Sequence, residues 1–190
     1  MKKKTAAERA ALWIRILTVP PVLVILLSLI LDAKDPAFRL WCPLVFLCAV
    51  PLVSYPVCRL VPYLHKGGRK TQRTCALLFS LAGYVAYVLW CALFHGDRLE
   101  WMMSVTYLVS GFAITLFTFR YHIPGSGHAA GVCGPAFMLA VTFGSWALGA
   151  LVLIPLVFWS SLYLRRHTLG QHCLGGAVPV ATIAVLLMIL

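Results

Sequence analysis

The chain has 190 residues, of which 62% are hydrophobic and 11% are charged. This composition excludes a soluble globular protein, because its apolar runs of about 20 residues match the roughly 30 Å thickness of a bilayer core. The net charge of +11 is assigned to basic loops that face anionic lipid, so no nucleic-acid partner is expected. We predict an all-α, polytopic membrane helical bundle with about six to seven transmembrane helices.

The apolar runs give the predicted spans in chain order. They cover about 10–31, 40–64, 75–94, 99–119, 129–143, 146–164 and 173–190. Pro20 and Pro21 are expected to kink the first span. A single helix over 129–164 would be about 54 Å long, which exceeds the membrane thickness. Gly144-Ser145 is therefore expected to reverse the chain and to make two short spans of this stretch.

Residues 124–128, Pro-Gly-Ser-Gly-His, form a polar interruption between two of these apolar runs. Glycines let the backbone turn and approach a ligand closely. A helix that begins there would add unpaired N–H groups and the positive end of its dipole. These features favour an anion site with His128 at its edge.

The number of crossings predicts which polar segments share a membrane face. Two predicted spans separate residues 65–73, which are expected to form a basic loop, from His128, and two more separate His128 from His167. An even number of crossings returns the chain to the same face each time. Thirteen of the sixteen Lys and Arg residues then lie on that face. The positive-inside rule places it in the cytoplasm, and we expect an integral protein of the cell (plasma) membrane.

Three polar clusters therefore converge. The first contains Lys66 and Arg73, the second is Ser126-Gly127-His128, and the third is the segment 160–171. Two imidazoles can share a displacement at phosphorus, because one attacks while the other protonates the departing oxygen. Cations stabilise the charge on the transferred group.

The order and spacing of these clusters resemble the type 2 phosphatidic acid phosphatase superfamily, lipid phosphatases related to soluble acid phosphatases and vanadium haloperoxidases. The family pattern is Lys-x6-Arg-Pro, then Pro-Ser-Gly-His, then Ser-Arg-x5-His-x3-Asp. The matching positions here are Lys66, Arg73, Ser126, Gly127, His128, Ser160 and His167. Thr74 and Gly125 stand where the family has its two prolines.

The resemblance implies a role for each matching residue. His167 would be the nucleophile that takes the phosphoryl group, and His128 the general acid for the leaving group. Lys66, Arg73 and the Ser126–Gly127 region would bind phosphate. No metal and no cofactor are implied. The substrate would be a lipid phosphate or diphosphate of the phosphatidic acid, phosphatidylglycerophosphate or polyprenyl diphosphate type.

On this basis the chain is expected to be a single membrane domain, residues 1–190. It would have two N-terminal spans (1–64), a phosphatase-like core (65–176) and the rest of the last span (177–190). The sequence leaves the oligomeric state open.

The chain departs from the family pattern at two positions. Ser161 replaces the family's arginine, and Arg165, four residues later, is expected to supply the missing charge from the same helix face. Gln171 replaces the family's aspartate. At i+4 from His167 its amide oxygen can accept the Nδ1 proton and hold the ring, but it offers no negative charge.

Two hypotheses stay open. The first is an active lipid phosphatase. The second, motivated by Ser161 and Gln171, is a catalytically impaired lipid-phosphate-binding or transport protein of the same fold.

Several other features are expected to be structural rather than functional. The seven cysteines are expected to be small buried side chains, because none forms a Cys-x-x-Cys pair. The remaining histidines are expected in loops or at the membrane interface; they are His65, His95, His122 and His172.

Overall fold

A computed structural model describes residues 5–123 and 125–190, without the side chains of His65, Lys66, Arg69, Lys70 and Trp146. The predicted all-α class is confirmed, since the described residues form nine helices and no strand. In chain order these are α1 (Ala6–Leu17), α2 (Pro20–Asp32), α3 (Trp41–Leu60), α4 (Pro62–Lys66), α5 (Gly68–Leu93), α6 (Arg98–Arg120), α7 (Gly127–Phe143), α8 (Leu153–Tyr163) and α9 (Leu169–Ile189). A 3₁₀ helix, Ser145–Val152, precedes α8.

Four helices, α3, α5, α6 and α9, are long and apolar enough to cross a membrane, and α1 with α2 makes a fifth span if that bent pair counts as one. These helices indicate an integral membrane protein. The expected number of six to seven spans is not confirmed in the described residues. Helix α7 has 17 residues and α8 has 11, so both are shorter than the roughly 20 residues that a span needs.

The first helix begins and ends where local chemistry dictates. The Thr5 side chain accepts a hydrogen bond from the Glu8 backbone N–H, and the Glu8 carboxylate accepts one from the Thr5 N–H. This capping box satisfies two N–H groups at the helix start. Pro20 has no N–H and disfavours helical geometry at the preceding residue. The predicted kink is therefore present as a break, with α1 and α2 bent by 53°.

The chain forms two compact units, the first unit (Met1–Leu23 and Leu116–Leu190) and the second unit (Val24–Thr115). In the first unit, α7 ends at Phe143 and is capped by Gly144, which has a φ of +74°. Glycine adopts this left-handed conformation without strain. The chain then folds back so that α8 and its preceding 3₁₀ turn pack against α7. The predicted reversal at Gly144-Ser145 is confirmed.

The core of the first unit lies where α1, the start of α2, α7, α8 and α9 meet. Its buried side chains are Leu23, Val132, Cys133 and Val157, and the flanking apolar residues are Ile14, Leu153, Ile154, Phe158 and Val180. A Cβ atom at Gly131 would lie 2.8 Å from Cγ of Pro20. The glycine therefore allows α7 to approach the start of α2.

The second unit combines packed aromatic rings with one ion pair whose carboxylate is buried. Helices α3 and α5 pack through rings such as Trp41 and Trp90, whose centroids lie 4.8 Å apart. Glu100 is fully buried, and its carboxylate lies 2.6 Å from Nη2 of Arg39. Across both units, six of the seven cysteines are buried as predicted, and Cys173 is exposed.

The basic segment 65–73 was expected to be a loop, and this is wrong. Its backbone is mainly helical, with α4 ending at Lys66 and α5 beginning at Gly68. Gly67 separates the two helices. The polar composition resembles that of a loop, but Lys, Arg and Gln have good helix propensity and keep the backbone helical.

Candidate functional site

The polar interruption identified in the sequence begins α7. Ser126 caps this helix, and its hydroxyl accepts a hydrogen bond of 3.2 Å from the Ala129 N–H. The Ser126 N–H donates to the carbonyl oxygen of Gln171 over 3.2 Å. A Cβ atom at Gly175 would lie 2.5 Å from the Ser126 carbonyl oxygen. The Ser126 turn is therefore held against the first turns of α9, and the Ser126 side chain is fully buried.

His167 is held by the start of the same helix. Its Nδ1 lies 3.1 Å from Oε1 of Gln171, so the contact predicted from the i+4 spacing is present. The same oxygen accepts the Thr168 N–H over 3.1 Å, as part of the capping box of α9. In the tautomer that donates from Nδ1, the lone pair is on Nε2, which is the atom that an attack on phosphorus would use.

His128 lies in the first turn of α7, a helix that is not among the candidate spans. Its Nε2 lies 3.3 Å from the backbone carbonyl oxygen of Arg15, and a proton on Nε2 would be donated to that oxygen. Burial, followed by the charge of Arg15, lowers the pKa of His128 to about 4. His128 is therefore a neutral imidazole at pH 7 in this state of the protein, whereas a histidine that acts as general acid starts as the doubly protonated imidazolium.

A positive charge lies beside Ser161 as expected, but it belongs to Arg15 of α1 and not to Arg165. Nη1 of Arg15 on α1 donates a hydrogen bond to the hydroxyl of Ser161 on α8, and Ser161 is fully buried. Helix α1 packs along α8. In the sequence Arg15 is one of many basic residues. Nothing there indicated its contact with Ser161, because 146 positions separate the two partners.

Arg165 is placed differently from its expected position. Its expected role relied on α8 continuing past Ser161 so that both residues shared one face. That premise is wrong, because α8 ends at Tyr163 and Arg165 adopts a φ of +50°. The Arg165 side chain is exposed. Its role in phosphate binding stays a prediction without the helical argument.

His172 was expected in a loop or at the membrane interface, and this is wrong. It lies on α9 and is fully buried. Its ring packs edge-on against Phe158 with centroids 4.9 Å apart, and against His167 with centroids 5.5 Å apart. The His172 ring therefore packs against the ring of His167. Its i+5 spacing from His167 gave no indication of that position.

The structure brings six of the eight predicted site residues into the first unit. These are Ser126, Gly127, His128, Arg165, His167 and Gln171. Arg73 belongs to the second unit, where it is exposed on α5. The side chain of Lys66 lies outside the described residues. The grouping of Lys66 and Arg73 with the two histidines stays a prediction.

The first unit contains a strong excess of positive charge. Residues 1–23 and 116–190 include eight Lys and Arg residues but one acidic residue, Glu8, whose carboxylate accepts the Thr5 N–H. Where the structure describes side chains, its one ion pair, Arg39–Glu100, lies in the second unit. Among the described side chains of the first unit, no carboxylate forms an ion pair with a basic group, and an anionic ligand would supply that charge.

No family model, curated protein or solved structure matches the chain. Among the described residues no group of three or more His, Cys, Asp or Glu side chains is arranged to hold a metal ion.

Proposed function

We propose that this protein is an integral membrane phosphatase that hydrolyses a lipid phosphate or diphosphate through a phosphohistidine intermediate. The observation that carries the proposal is the pair His128 and His167. Each has a ring nitrogen held by an oxygen acceptor, and both lie in a unit rich in cations and almost free of acids. The three-cluster motif order supports the same reaction class.

In the first step, Nε2 of His167 attacks the phosphorus atom. A P–N bond forms, the P–O bond to the lipid breaks, and the departing oxygen takes a proton from His128. Because His128 is anchored through Nε2, the proton would be exchanged at Nδ1. In the second step, water attacks phosphorus and gives its proton to His128. The P–N bond then breaks, its electron pair returns to His167, and inorganic phosphate leaves.

Substrate binding would supply the protonation state that this sequence requires. The pKa of His128 is lowered to about 4 by burial and by the charge of Arg15. A bound phosphate dianion opposes both effects, since a nearby negative charge favours the protonated imidazole. His128 would therefore gain its proton in the complex with substrate and not in the empty site.

The proposal is tested by single-turnover hydrolysis with purified protein and a panel of phosphatidic acid, phosphatidylglycerophosphate and polyprenyl diphosphate. The wild type should release inorganic phosphate, and His167→Ala should release none above background. His122→Ala is the matched control, because His122 is an exposed histidine without a proposed role. Equal rates for wild type and His167→Ala would exclude the phosphohistidine route.

A second candidate function is a lipid-phosphate-binding or transport protein of the same fold. The observation that favours it is the Gln171 amide, which holds His167 but cannot neutralise the positive charge that the ring gains in the reaction. This function predicts that phosphate-headgroup lipids bind while no inorganic phosphate is released. The same panel, with binding measured beside hydrolysis, separates the two functions.

A further inference from the structure

We infer that Arg15, on the N-terminal helix, is a phosphate-binding residue of this site and that Ser161 positions it. The inference rests on the proposed function and adds a residue that lies outside the three motifs. It assigns to α1 the positive charge that the family pattern carries on the residue six before the nucleophile.

Both the backbone carbonyl group and the guanidinium of Arg15 lie at the site. Its backbone carbonyl oxygen lies 3.3 Å from Nε2 of His128, and its guanidinium donates from Nη1 to the hydroxyl of Ser161. Ser161 stands six residues before His167. One residue of α1 therefore contacts the position of the missing arginine and the proposed proton donor. This arrangement explains how the chain can have a serine at position 161 and keep a guanidinium beside it.

The charges around Arg15 favour the binding of an anion. Within the described residues no carboxylate forms an ion pair with Arg15, and the guanidinium of Arg166 is close enough to repel it. Arg15 is only partly exposed, so water compensates incompletely for this repulsion. A phosphate bound between the two arginines would reverse the sign of the local interaction.

The chemistry of arginine suits the task. The guanidinium carries five N–H donors in a planar fork, and two of them can bind a phosphate side by side. The hydrogen bond from Nη1 to the buried Ser161 hydroxyl fixes the orientation of this plane before the ligand arrives. A serine at position 161 is small enough to admit the guanidinium, whereas an arginine there would compete for the same space.

The first experiment measures inhibition of lipid phosphate hydrolysis by inorganic phosphate. Arg15→Gln keeps a long polar side chain without its charge. We expect it to raise the inhibition constant and to lower kcat/KM by about 100-fold, the usual loss for one charge-stabilising donor. Arg15→Lys should recover part of the phosphate affinity. Arg9→Gln is the matched control, because Arg9 is exposed on the same helix and should behave as wild type.

Relocating the charge gives a sharper test. Ser161→Arg in the Arg15→Gln background should restore phosphate inhibition, since the guanidinium returns to the same place from the other helix. A purely structural role for Arg15 would not be rescued in this way. Arg15→Gln with the phosphate affinity of the Arg9→Gln control would overturn the inference.

A measurement on the wild type does not depend on folded variants or on turnover. Inorganic phosphate should slow the modification of Arg15 by phenylglyoxal, followed by mass spectrometry, and leave that of Arg9 unchanged. Equal modification of Arg15 with and without phosphate would overturn the inference. If phosphate protects Arg15 but no lipid phosphate is hydrolysed, the anion site stands and the phosphatase function fails.

Discussion

Among single residues, Gln171 determines how well His167 tolerates positive charge. Its Oε1 accepts from Nδ1 over 3.1 Å, and a carboxylate there would add a charge-assisted hydrogen bond of about 1.5–3 kcal/mol. We therefore expect Gln171→Glu, which keeps the side-chain length, to raise the rate of phosphate release by about 10-fold or more. Gln171→Asp should give a smaller gain because its reach is shorter.

The control for this prediction is Gln171→Leu, which removes the acceptor and should slow phosphate release below the wild-type rate. Rates are compared in single-turnover experiments that separate chemistry from product release. A Leu variant as fast as wild type would show that the hydrogen bond to Nδ1 has no role in the reaction.

The half-buried imidazole of His128 predicts a pH dependence of stability. Its pKa is lowered to about 4 by burial and by the charge of Arg15, while an unfolded histidine titrates near pH 6.5. Between these values the unfolded chain binds a proton that the folded protein does not. The free energy of unfolding should therefore fall as the pH decreases from about 6.5 to 4, by at most about 1.4 kcal/mol per pH unit from this group.

This prediction is checked by the thermal stability of the detergent-purified protein between pH 4 and pH 8. His128→Gln should lose part of the slope, because glutamine does not titrate. A variant whose profile is superimposable on that of the wild type would assign the pH dependence to other groups.

At the scale of helices, the approach of the Ser126 turn to α9 depends on one glycine. A Cβ atom at Gly175 would lie 2.5 Å from the Ser126 carbonyl oxygen, and backbone atoms cannot move aside cheaply. Gly175→Ala should therefore displace the turn that carries His128 and lower kcat/KM by at least about 10-fold. Activity and thermal stability are measured together.

Gly170→Ala is the matched control on the same helix, because a Cβ atom at Gly170 would meet no other atom within 4 Å. It should keep full activity, and its stability should be unchanged or slightly higher, since alanine favours a helix more than glycine does. Similar losses in both variants would mean that α9 tolerates no added methyl group at all, and the specific contact with Ser126 would not be supported.

For the molecule as a whole, the distribution of charge predicts which membrane face carries the site. The excess of Lys and Arg on the predicted site face favours the cytoplasm. We expect Ile123→Cys, an exposed position next to α7, to resist a membrane-impermeant maleimide in intact cells. Lys34→Cys, exposed in the first loop, should react. Cys173→Ser provides the background, because Cys173 is the exposed native cysteine.

Labelling of Ile123→Cys from outside, with Lys34→Cys protected, would place the site on the opposite face. Opening the cells must make the protected cysteine reactive, which shows that the variant is folded and accessible. Reaction of both positions in intact cells would contradict an odd number of crossings between them.

Local sequence chemistry was sufficient for much of the architecture. Long apolar runs must be helical in lipid, because an unsatisfied backbone is too costly there. Pro20 and Gly144 then determine a break and a reversal, since one lacks an N–H group and the other permits a positive φ. The contact between His167 and Gln171 was also predicted, but for another reason than the one that holds: His167 precedes α9, and it meets Gln171 through the capping box at the helix start.

Other features were decided only by tertiary structure. The Arg15–Ser161 contact joins residues 146 positions apart, and no periodicity within one helix reports on such a pair. The end of α8 at Tyr163 removed Arg165 from the face of Ser161, and the burial of His172 depends on Phe158 from another helix. Sequence patterns describe which surface each helix buries. Which side chain of a distant helix packs against that surface depends on the shapes and charges of both helices.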